Sequence, residues 1–464
     1  MTRTDQRKSL RGVMCVASVL VVASCDVTPE FLTPSFAFGP SYVAKTSGLP
    51  VPQEEVAWWT RFNDPTLNAL VEEALAGNLD LAVAKERVKE AQALARSVPE
   101  SVTVTGTVRA GREGGRDISD ANGGDGTFGF DWLLDPWGGR AAELRGAQGE
   151  IDVAEAELDA ARLLLLSNIA TAYIDLRFQQ RSVQLRRAEL ESRKTTLDLI
   201  KQLQASGVAT RLDIVRSEAL VSETRSLIPR SEAAVRIQQN RIATLLGKTS
   251  GAPDGRLVSS GKGQPLAGVR ADIGIPADLL RNRPDLRVAE RLYYVAVADV
   301  GVRTAELYPS LSISGEISLS SYGGTKASDY FFGPTLRLPA LPEGSRRARV
   351  EAQQSRANQA LTRWQSDVLG AVEEVENSLV NYSGSLASAN SSRDTVRLYR
   401  ESVELTRGLV GREGATVRDL LDAEQSVATA NFLLSQNLRN LGTDFVTLNV
   451  SLGAGHGYGG KPAD

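Results

Sequence analysis

The chain has 464 residues, of which 42% are hydrophobic and 23% charged, so it is long enough to bury several hydrophobic cores. Its formal net charge is −3, and basic and acidic residues are mixed along the chain, so no basic face indicates a nucleic-acid partner. No run of about 18 apolar residues occurs after the amino-terminal segment, which excludes a predicted transmembrane helix there.

Residues 1–24 have the layout of a secretory signal peptide, with four basic residues, an apolar run over 13–22 and small residues at the end. The segment ends in Val-Ala-Ser before Cys25 and resembles a bacterial lipobox, whose cysteine becomes the lipidated first residue. Cys15 lies inside the signal, so Cys25 is the single thiol left after cleavage. We therefore predict a lipid on Cys25; the alternative is a plain signal peptide with a chance cysteine. Whether Asp26 affects lipoprotein sorting stays open.

Residues 25–77 are predicted to form a lipidated N-terminal arm and an equatorial segment. Residues 26–56 are rich in Pro, Ser and Gly and show little periodicity, which is typical of an extended arm. A Trp-Trp pair at 58–59 then leads into a short helix that is predicted to end near Gly77.

The remainder of the chain repeats one plan twice. Asp80-Leu81 begins a helix much as Asp285-Leu286 does, and in both halves a proline precedes an alternating segment that begins with serine. Each repeat is predicted to contain a helix, two strands and a long helical hairpin. The first structural repeat covers residues 78–247 and the second 277–442, with a linker and equatorial segment at 248–276 and a C-terminal equatorial tail at 443–464.

Apolar and polar residues alternate after Pro99 and after Pro309, which predicts β-strands. The predicted strands are 101–110, 127–134, 310–319 and 330–338, with loops at 111–126 and 320–329. The alternation fits a half-buried sheet, and it equally fits barrel strands of ~9–11 residues with one face to lipid and one to water. For a barrel, the predicted lumen residues are Thr103, Thr105, Arg109, Ser312, Ser314 and Glu316. The predicted lipid-facing residues include Val102, Val104, Phe130, Ile313 and Ile317.

Long helical hairpins follow the strands. Residues 140–206 contain no proline, and as one helix they would be ~100 Å long. A helix of this length with polar residues nearly all round belongs to a coiled assembly or a tube. The return helix is predicted to end at Gly247, and the second hairpin to consist of helices at 345–410 and 416–442. The predicted tips of the two hairpins contain Gly207, Thr210, Asp213, Gly414 and Thr416.

Four strands per chain are too few to close a barrel, because an open sheet edge in lipid leaves backbone N–H and C=O groups unpaired. Two chains would give eight strands around an interior filled by side chains, whereas three would give twelve strands with room for a pore. The predicted fold class is therefore an α+β membrane protein. Three chains form a twelve-stranded β-barrel that is continuous with a long twelve-helix α-barrel, and each chain is built from an internal two-fold repeat.

Several motifs resemble those of one family. They are Trp58-Trp59-x-x-Phe62-x-Asp64-Pro65, Trp132-x-x-Asp135-x-Trp137-Gly138-x-Arg140, Arg283-Pro284-Asp285-Leu286 and Leu421-Asp422-Ala423-Glu424. With them the chain resembles the TolC-like outer-membrane factors, in the lipoprotein branch that serves multidrug (RND-type) efflux pumps. The resemblance implies a homotrimeric exit duct that conducts drugs or other small molecules passively from an inner-membrane pump and a periplasmic adaptor (membrane fusion protein). It also implies a lipid-anchored protein in the bacterial outer membrane that extends into the periplasm.

The resemblance further implies a periplasmic gate, narrowed by rings of side chains on the helix after the second-half turn. Asp422 matches the gate aspartate of the family, and the residues four before and three after it are Arg418 and Gln425. These three positions share one face of a helix. The alternative is that Arg418 and Asp422 form a solvated ion pair worth a few tenths of a kcal/mol.

Two spacings depart from a symmetric repeat. The interval from the helix-starting aspartate to the following proline is 19 residues over 80–99, against 24 over 285–309, so the first helix is predicted to be more than one turn shorter. The second tip, counted over 414–424, is predicted to be one residue shorter than the first, counted over 207–218. Either difference could alter gating.

No catalytic constellation is present in the sequence. His456 is the one histidine and lies in the tail, so Ser-His, Cys-His and His-metal chemistry lacks partners. We therefore predict no enzymatic activity, no cofactor and no metal site.

Two other protein classes stay open from the sequence: a periplasmic coiled-coil adaptor or scaffold lipoprotein, and a duct for type I protein secretion. An adaptor has no reason to place pairs of amphipathic, membrane-length strands between its helices, which favours a duct. The sequence does not specify the substrate (drug, metal, solvent or protein) or the particular pump and adaptor.

Overall fold

The computed structural model describes residues 27–34, 36, 38, 57–115, 118–251, 254–258, 263–267, 279–410 and 414–457. The predicted signal peptide and Cys25 lie outside the described residues, as does Asp26. The chain divides into a sheet unit (Met1–Ser35, Arg87–Glu155 and Val288–Ser366) and a helical unit (Phe36–Glu86, Ala156–Arg287 and Asp367–Asp464). Within the described ranges, no helix combines the length and the apolar character needed to cross a membrane.

The secondary structure follows the predicted plan of helix, strand pair and helical hairpin in each half. The helices are α1 (Pro65–Gly77), α2 (Leu79–Arg96), α3 (Gly139–Ala205), α4 (Arg211–Leu245), α5 (Pro284–Ala305), α6 (Gly344–Leu409) and α7 (Val417–Ser451). The strands are β1 (Val102–Gly115), β2 (Ile118–Leu134), β3 (Ser310–Tyr322) and β4 (Thr325–Arg337). A 3₁₀ helix covers Trp58–Phe62, and single helical turns cover Gly255–Val258 and Leu279–Asn282.

The sheet unit contains one antiparallel sheet with the strand order β1-β2-β3-β4. The strands are longer than predicted, and the loops predicted at 111–126 and 320–329 are wrong, because most of these residues pair in the β1–β2 and β3–β4 hairpins. The β3–β4 connection is only Gly323-Gly324, both with positive φ, as a tight hairpin turn requires. Glycine and aspartate have weak strand propensity, but ladder hydrogen bonds to a neighbouring strand override it.

The strand register separates the sheet into an apolar and a polar face. Val104 lies opposite Phe130, Phe130 opposite Gly315 and Gly315 opposite Phe332, all on the apolar face. Gly315 makes room there, since a Cβ at this position would lie 2.3 Å from the Phe130 ring. The polar face contains all six predicted lumen residues, namely Thr103, Thr105, Arg109, Ser312, Ser314 and Glu316. That this face lines a lumen stays a prediction.

The end of the sheet next to α3 and α5 has a paired aromatic feature. The ring of Trp137 stacks on that of Tyr308 with centroids 4.6 Å apart, and its indole N–H donates to the Pro309 carbonyl at 2.8 Å. α5 ends at Ala305, four residues before Pro309, and Ser310 begins β3, as the change of period predicts. A tryptophan and a tyrosine at this boundary suit a membrane interface, where one end of each ring is apolar and the other is wet.

The long helices are continuous over almost the predicted ranges, and α4 includes Pro229 without ending there. The last helix is the exception, because α7 runs to Ser451 and the tail predicted to begin at 443 is partly helical. Gly442 lies inside α7, where a Cβ would be in ordinary contact with the Ile174 side chain at 3.4 Å. The buried residues Phe445, Val446 and Leu448 continue the helical period beyond it.

The core of the helical unit contains the Trp-Trp motif. Trp58 and Trp59 are fully buried, and Trp58 meets the ring of Phe445 edge to face and donates to the Ala454 carbonyl at 3.1 Å. Asp64 caps α1 by accepting from the Thr66 amide at 2.9 Å, and it also accepts from the Tyr173 hydroxyl at 2.6 Å. The tryptophan–aspartate motif near residue 60 is therefore bound to the middle of α3.

The Arg-Pro-Asp motif has a structural role in the same unit. The Arg283 guanidinium is largely buried and donates to Asp285 at 2.7 Å, to Glu374 of α6 at 2.6 Å and to the Ser451 carbonyl at 2.9 Å. Ser451 is the last residue of α7, so this arginine satisfies a carbonyl that the helix end leaves open. One side chain thereby joins the start of α5 to α6 and α7.

Candidate functional site: the hairpin tips and the polar face

The two hairpin tips begin their return helices with the same device. Thr210 caps α4 and Thr416 caps α7, and each hydroxyl accepts from the backbone amide three residues on. In return, the carboxylates of Asp213 and Asp419 accept from the amides of these threonines at 2.9 and 2.8 Å. The threonine hydroxyls also donate to the same carboxylates, at 2.6 and 2.7 Å. These hydroxyl bonds, followed by the amide bonds, lower the pKa of both carboxyl groups. Asp419 was missed in the sequence, although the shared Thr-x-x-Asp spacing is a capping-box signal.

The structure corrects the comparison of the two turns. α3 ends at Ala205 and α4 begins at Arg211, whereas α6 ends at Leu409 and α7 begins at Val417. Five residues therefore separate the helices of the first hairpin and seven those of the second, of which 411–413 lie outside the described residues. The spacing misled because the glycines are not equivalent: Gly207 follows the long helix with φ +81, whereas Gly414 lies just before the cap of α7. The shorter first helix is confirmed, with 18 residues in α2 against 22 in α5.

The three predicted gate residues lie on the exposed face of α7. Arg418 Nε is 3.7 Å from Asp422 Oδ2, and both side chains are about three-quarters exposed in the single chain, at 77% and 74%. Gln425 is also exposed, but its Oε1 accepts from Arg193 of α3 at 2.5 Å. The structure thus brings Arg418 and Asp422 together and holds Gln425 against the neighbouring helix.

The opposite face of α7 is buried near the tips. Val417 and Leu421 pack into a hydrophobic cluster with Leu197 and Ile200 of α3 and Ile214 of α4. Because these side chains fix one face of α7 against the first hairpin, the face with Arg418 and Asp422 is left open. The hydrophobic period of this helix therefore decides which residues are available to a gate.

The polar face of the sheet is acidic among the described side chains. With Glu316, the register places four carboxylates on this face. Two of them have neutral partners: Asp131 accepts from Ser314 at 2.6 Å and Asp125 accepts from Tyr322 at 3.1 Å. The four acidic residues of the polar face are Asp125, Asp131, Glu316 and Asp329, and its two basic residues are Arg109 and Arg337. Asp125 and Asp329 were missed because they lie in segments predicted as loops. A water-filled space lined by this face would attract cations.

The described residues include no group of three or more His, Cys, Asp or Glu side chains that could hold a metal ion. His456 is held at the end of the helical unit, where its Nδ1 lies 2.8 Å from the Gly453 carbonyl. That the chain binds no metal and no cofactor stays a prediction.

Each half of the chain contributes two strands and one long helical hairpin, and the four strands form one antiparallel sheet with an apolar and a polar face. This combination defines a channel-forming membrane protein. The chain belongs to the outer membrane efflux protein family, whose model matches residues 70–248 and again residues 275–454. The two matches coincide with the two structural repeats. The chain is therefore an outer-membrane efflux channel that extends into the periplasm, and it serves as the exit duct of a tripartite pump.

Curated relatives match almost the whole chain. Nodulation protein T of Rhizobium leguminosarum bv. trifolii is 34% identical over 456 residues, which cover 94% of this chain and 96% of that protein. The pyoverdine export outer membrane protein OpmQ of Pseudomonas aeruginosa is 28% identical over 396 residues, which cover 81% of this chain and 82% of that protein.

Among solved structures, the outer-membrane channel OprN is similar with a TM-score of 0.85 and 30% identity, and the match covers 93% of this chain and 100% of that one. The fold class is that of these trimeric channels: an α+β membrane protein with a twelve-stranded β-barrel, to which each chain contributes four strands, and a long twelve-helix α-barrel. The predicted family, fold class and location in the outer membrane are confirmed.

Proposed function

We propose that this chain assembles as a homotrimer with a periplasmic adaptor and an inner-membrane efflux pump, and conducts small molecules passively out of the cell. The observation that carries the proposal is the sheet itself. Its edge strands β1 and β4 have no further strand partner among the described residues, and one face is apolar. Pairing β1 of one copy with β4 of the next would satisfy both edges and close a pore.

Small organic molecules are the proposed substrates. The match to a pyoverdine export protein over most of the chain supports this class. The acidic polar face adds a preference for neutral and cationic molecules over anionic ones, because the pore would carry more carboxylates than guanidinium groups. Conduction needs no catalytic residue, so we also propose that the chain is not an enzyme.

The assembly is tested with purified protein. Native mass spectrometry in detergent should give the mass of three chains, and the trimers should open conducting pores in planar bilayers. A monomer, or a trimer that never conducts, would favour the periplasmic scaffold instead.

The transport role is tested in cells that lack the gene. We expect these cells to accumulate a fluorescent cationic dye, and the full-length chain to restore its export. Normal dye export combined with loss of one secreted protein from the medium would favour a duct for type I protein secretion.

The gate and the lipid anchor belong to this proposal. Threefold symmetry would bring three copies of Asp422 toward one axis, together with Arg418 and Gln425. The exposure of Arg418 and Asp422 in a single chain supports a role in such a ring. A lipid on Cys25 would add a second membrane anchor to the barrel. One acyl chain alone binds a membrane only marginally, so the barrel would remain the main anchor.

A further inference from the structure

A buried carboxylate lies on α7 directly behind the proposed gate. Glu424 is two residues beyond Asp422, and its side chain is only 4% exposed. Its Oε1 accepts from the hydroxyl of Thr196 at 2.6 Å, from the hydroxyl of Ser192 at 3.3 Å and from the guanidinium of Arg407 at 3.0 Å. Thr196 and Ser192 belong to α3 and Arg407 to α6. One carboxylate therefore joins three helices.

A second set of polar contacts continues from the next residue. Gln425 accepts from Arg193 of α3, whose side chain is 4% exposed and forms an ion pair with Glu189 at 3.0 Å. Glu189 in turn accepts from the buried Thr224 of α4 at 3.5 Å. We call these residues the polar layer: Glu189, Ser192, Arg193, Thr196, Thr224, Arg407, Glu424 and Gln425. The layer connects α7 to α3, α4 and α6.

The polar layer contains buried charged side chains, which are unusual at positions where helices pack against each other. Glu424 Oε2 and Arg193 Nη1 are both buried without a hydrogen-bond partner among the described residues, and both residues line one cavity of about 190 Å³. Burying charged groups is costly unless they are well paired, and an apolar side chain would often pack here with less cost. Buried polar groups of this kind are best attested where they fix the register of one helix against another.

The hydrophobic cluster below the layer does not fix such a register on its own. Leucine and valine side chains such as Leu421 and Val417 make non-directional contacts, which tolerate rotation of a helix better than hydrogen bonds do. Glu424 accepts from defined hydroxyl and guanidinium donors on two helices, so its contacts hold only over a narrow range of rotation of α7. Adjacent helix positions are about 100° apart, so Asp422 points roughly 200° away from Glu424 around the helix axis.

We propose that Glu424 is a positioning residue for the gate: its bonds to α3 and α6 fix the rotation of α7 and thereby the direction of Asp422. This inference rests on the proposed function, because it takes the gate to lie at Arg418, Asp422 and Gln425. Any rotation of α7 that moves Asp422 away from the axis must break the bonds that Glu424 accepts. Weakening these bonds should therefore loosen the start of α7 and open the resting channel.

Glu404 provides a matched control. It forms an ion pair with the same Arg407 at 3.3 Å, but its side chain is 74% exposed and lies on α6 itself. Glu404→Gln and Glu424→Gln each remove one charge beside this arginine and keep the side-chain volume. Only Glu424→Gln weakens contacts that join α7 to its neighbours. Thr196→Val is a second test variant, since it removes one donor to Glu424 without removing a charge.

The experiment measures hydrogen exchange of residues 417–428 by mass spectrometry and the resting conductance of the same trimers in planar bilayers. Glu424→Gln should speed exchange in this segment about tenfold and Thr196→Val by a smaller factor, because charge-assisted hydrogen bonds are the stronger ones. Both variants should lose the low resting conductance of the wild type. Glu404→Gln should match the wild type in both measurements.

The outcomes separate the inference from the function on which it rests. If wild-type trimers conduct and Glu424→Gln matches Glu404→Gln in exchange and conductance, the positioning role is wrong and the duct stands. Faster exchange with an unchanged resting conductance would also overturn it, because α7 would then be loosened without moving the gate. If wild-type trimers never conduct, the proposed function fails, and the inference fails with it.

Discussion

At the scale of single residues, Tyr173 links a buried carboxylate to a buried guanidinium in the helical core. Its hydroxyl donates to Asp64 and accepts from Arg177 at 2.7 and 2.9 Å, and all three side chains are buried. Tyr173→Phe removes the atom between a buried carboxylate and a buried guanidinium. We expect it to destabilise the protein by about 1–3 kcal/mol, measured as a lower thermal midpoint by circular dichroism at one scan rate.

Tyr382→Phe is the matched control for this prediction. Tyr382 is also buried, at 5% exposure, but burial alone raises the pKa of its hydroxyl, with no hydrogen bond among the causes. Its loss should change the midpoint much less. Equal shifts for the two phenylalanine variants would show that volume and not the Asp64–Arg177 contacts sets the effect.

The same tyrosine predicts a sensitivity to alkali. Burial, followed by the hydrogen bond to Asp64, raises the pKa of Tyr173 to about 12 from its ordinary value of 10.0. The folded chain therefore keeps this proton while the unfolded chain loses it, so the stabilisation is complete below pH 10 and is lost as the pH rises toward 12. The gap between the midpoints of wild type and Tyr173→Phe should narrow over this range. A constant gap would contradict the raised pKa.

At the scale of elements, the two faces of the sheet make opposite predictions for neighbouring positions. Val104 and Thr105 are adjacent on β1, but Val104 shares the apolar face with Phe130 and Thr105 shares the polar face with Glu316. Val104→Arg should cost ~2–4 kcal/mol near the middle of the membrane, and Thr105→Arg much less. The measurement is the fraction of folded trimer on unheated gels after extraction from membranes. Equal yields of the two variants would rule out this orientation of the sheet.

The sequence predicts these elements unevenly, and the reasons are physical. Alternation and a terminal proline are local signals, so they identify β3 and its start at Ser310 correctly. The outer halves of β1 and β2 are rich in glycine and aspartate, and they become strands only because each supplies the other's hydrogen bonds. The end of α7 was misplaced at 442, since Phe445 and Val446 pack into a core of residues distant in the chain, such as Trp58, and this packing cannot be read locally.

In the candidate site, too, features that depend on neighbouring residues could be predicted, and features that depend on distant residues could not. The repeated Thr-x-x-Asp caps are local and could have been found at both tips. The role of Glu424 is not local, because its partners Thr196 and Arg407 lie on two other helices, and Thr196 is 228 residues away. In the sequence, Glu424 was noted only as the last residue of the Leu421-Asp422-Ala423-Glu424 motif, with no role assigned to it. The exposed face of α7 was predictable from its hydrophobic period, whereas the polar layer behind it required the structure.

At the scale of the whole molecule, the proposed lipid anchor and the sheet would make separate contributions to membrane attachment. Cys25→Ser, with a working signal peptide, should still give folded trimers, because closing the sheet edges is the stronger constraint. Mass spectrometry of the wild-type N-terminus should find a diacylated or triacylated cysteine. An unmodified terminus that begins elsewhere would contradict the lipid, and loss of all folded trimer in Cys25→Ser would show that the lipid is needed for assembly.

The proposed gate exists only in the assembled trimer, since three copies of Asp422 must approach one axis. Three carboxylates at one level repel each other unless Arg418 neutralises them, and the 3.7 Å contact within one chain allows this. Asp422→Ala, and Asp422→Ala combined with Arg418→Ala, should therefore raise the resting conductance of single trimers in bilayers and weaken their preference for cations.

The capping aspartate of the first hairpin is the control, because Asp213 has the same charge near a tip but belongs to α4. Asp213→Asn should leave the resting conductance and the ion preference unchanged. If Asp422→Ala changes neither quantity, the constriction lies elsewhere, and Arg418 and Asp422 are a solvated pair on an open helix face.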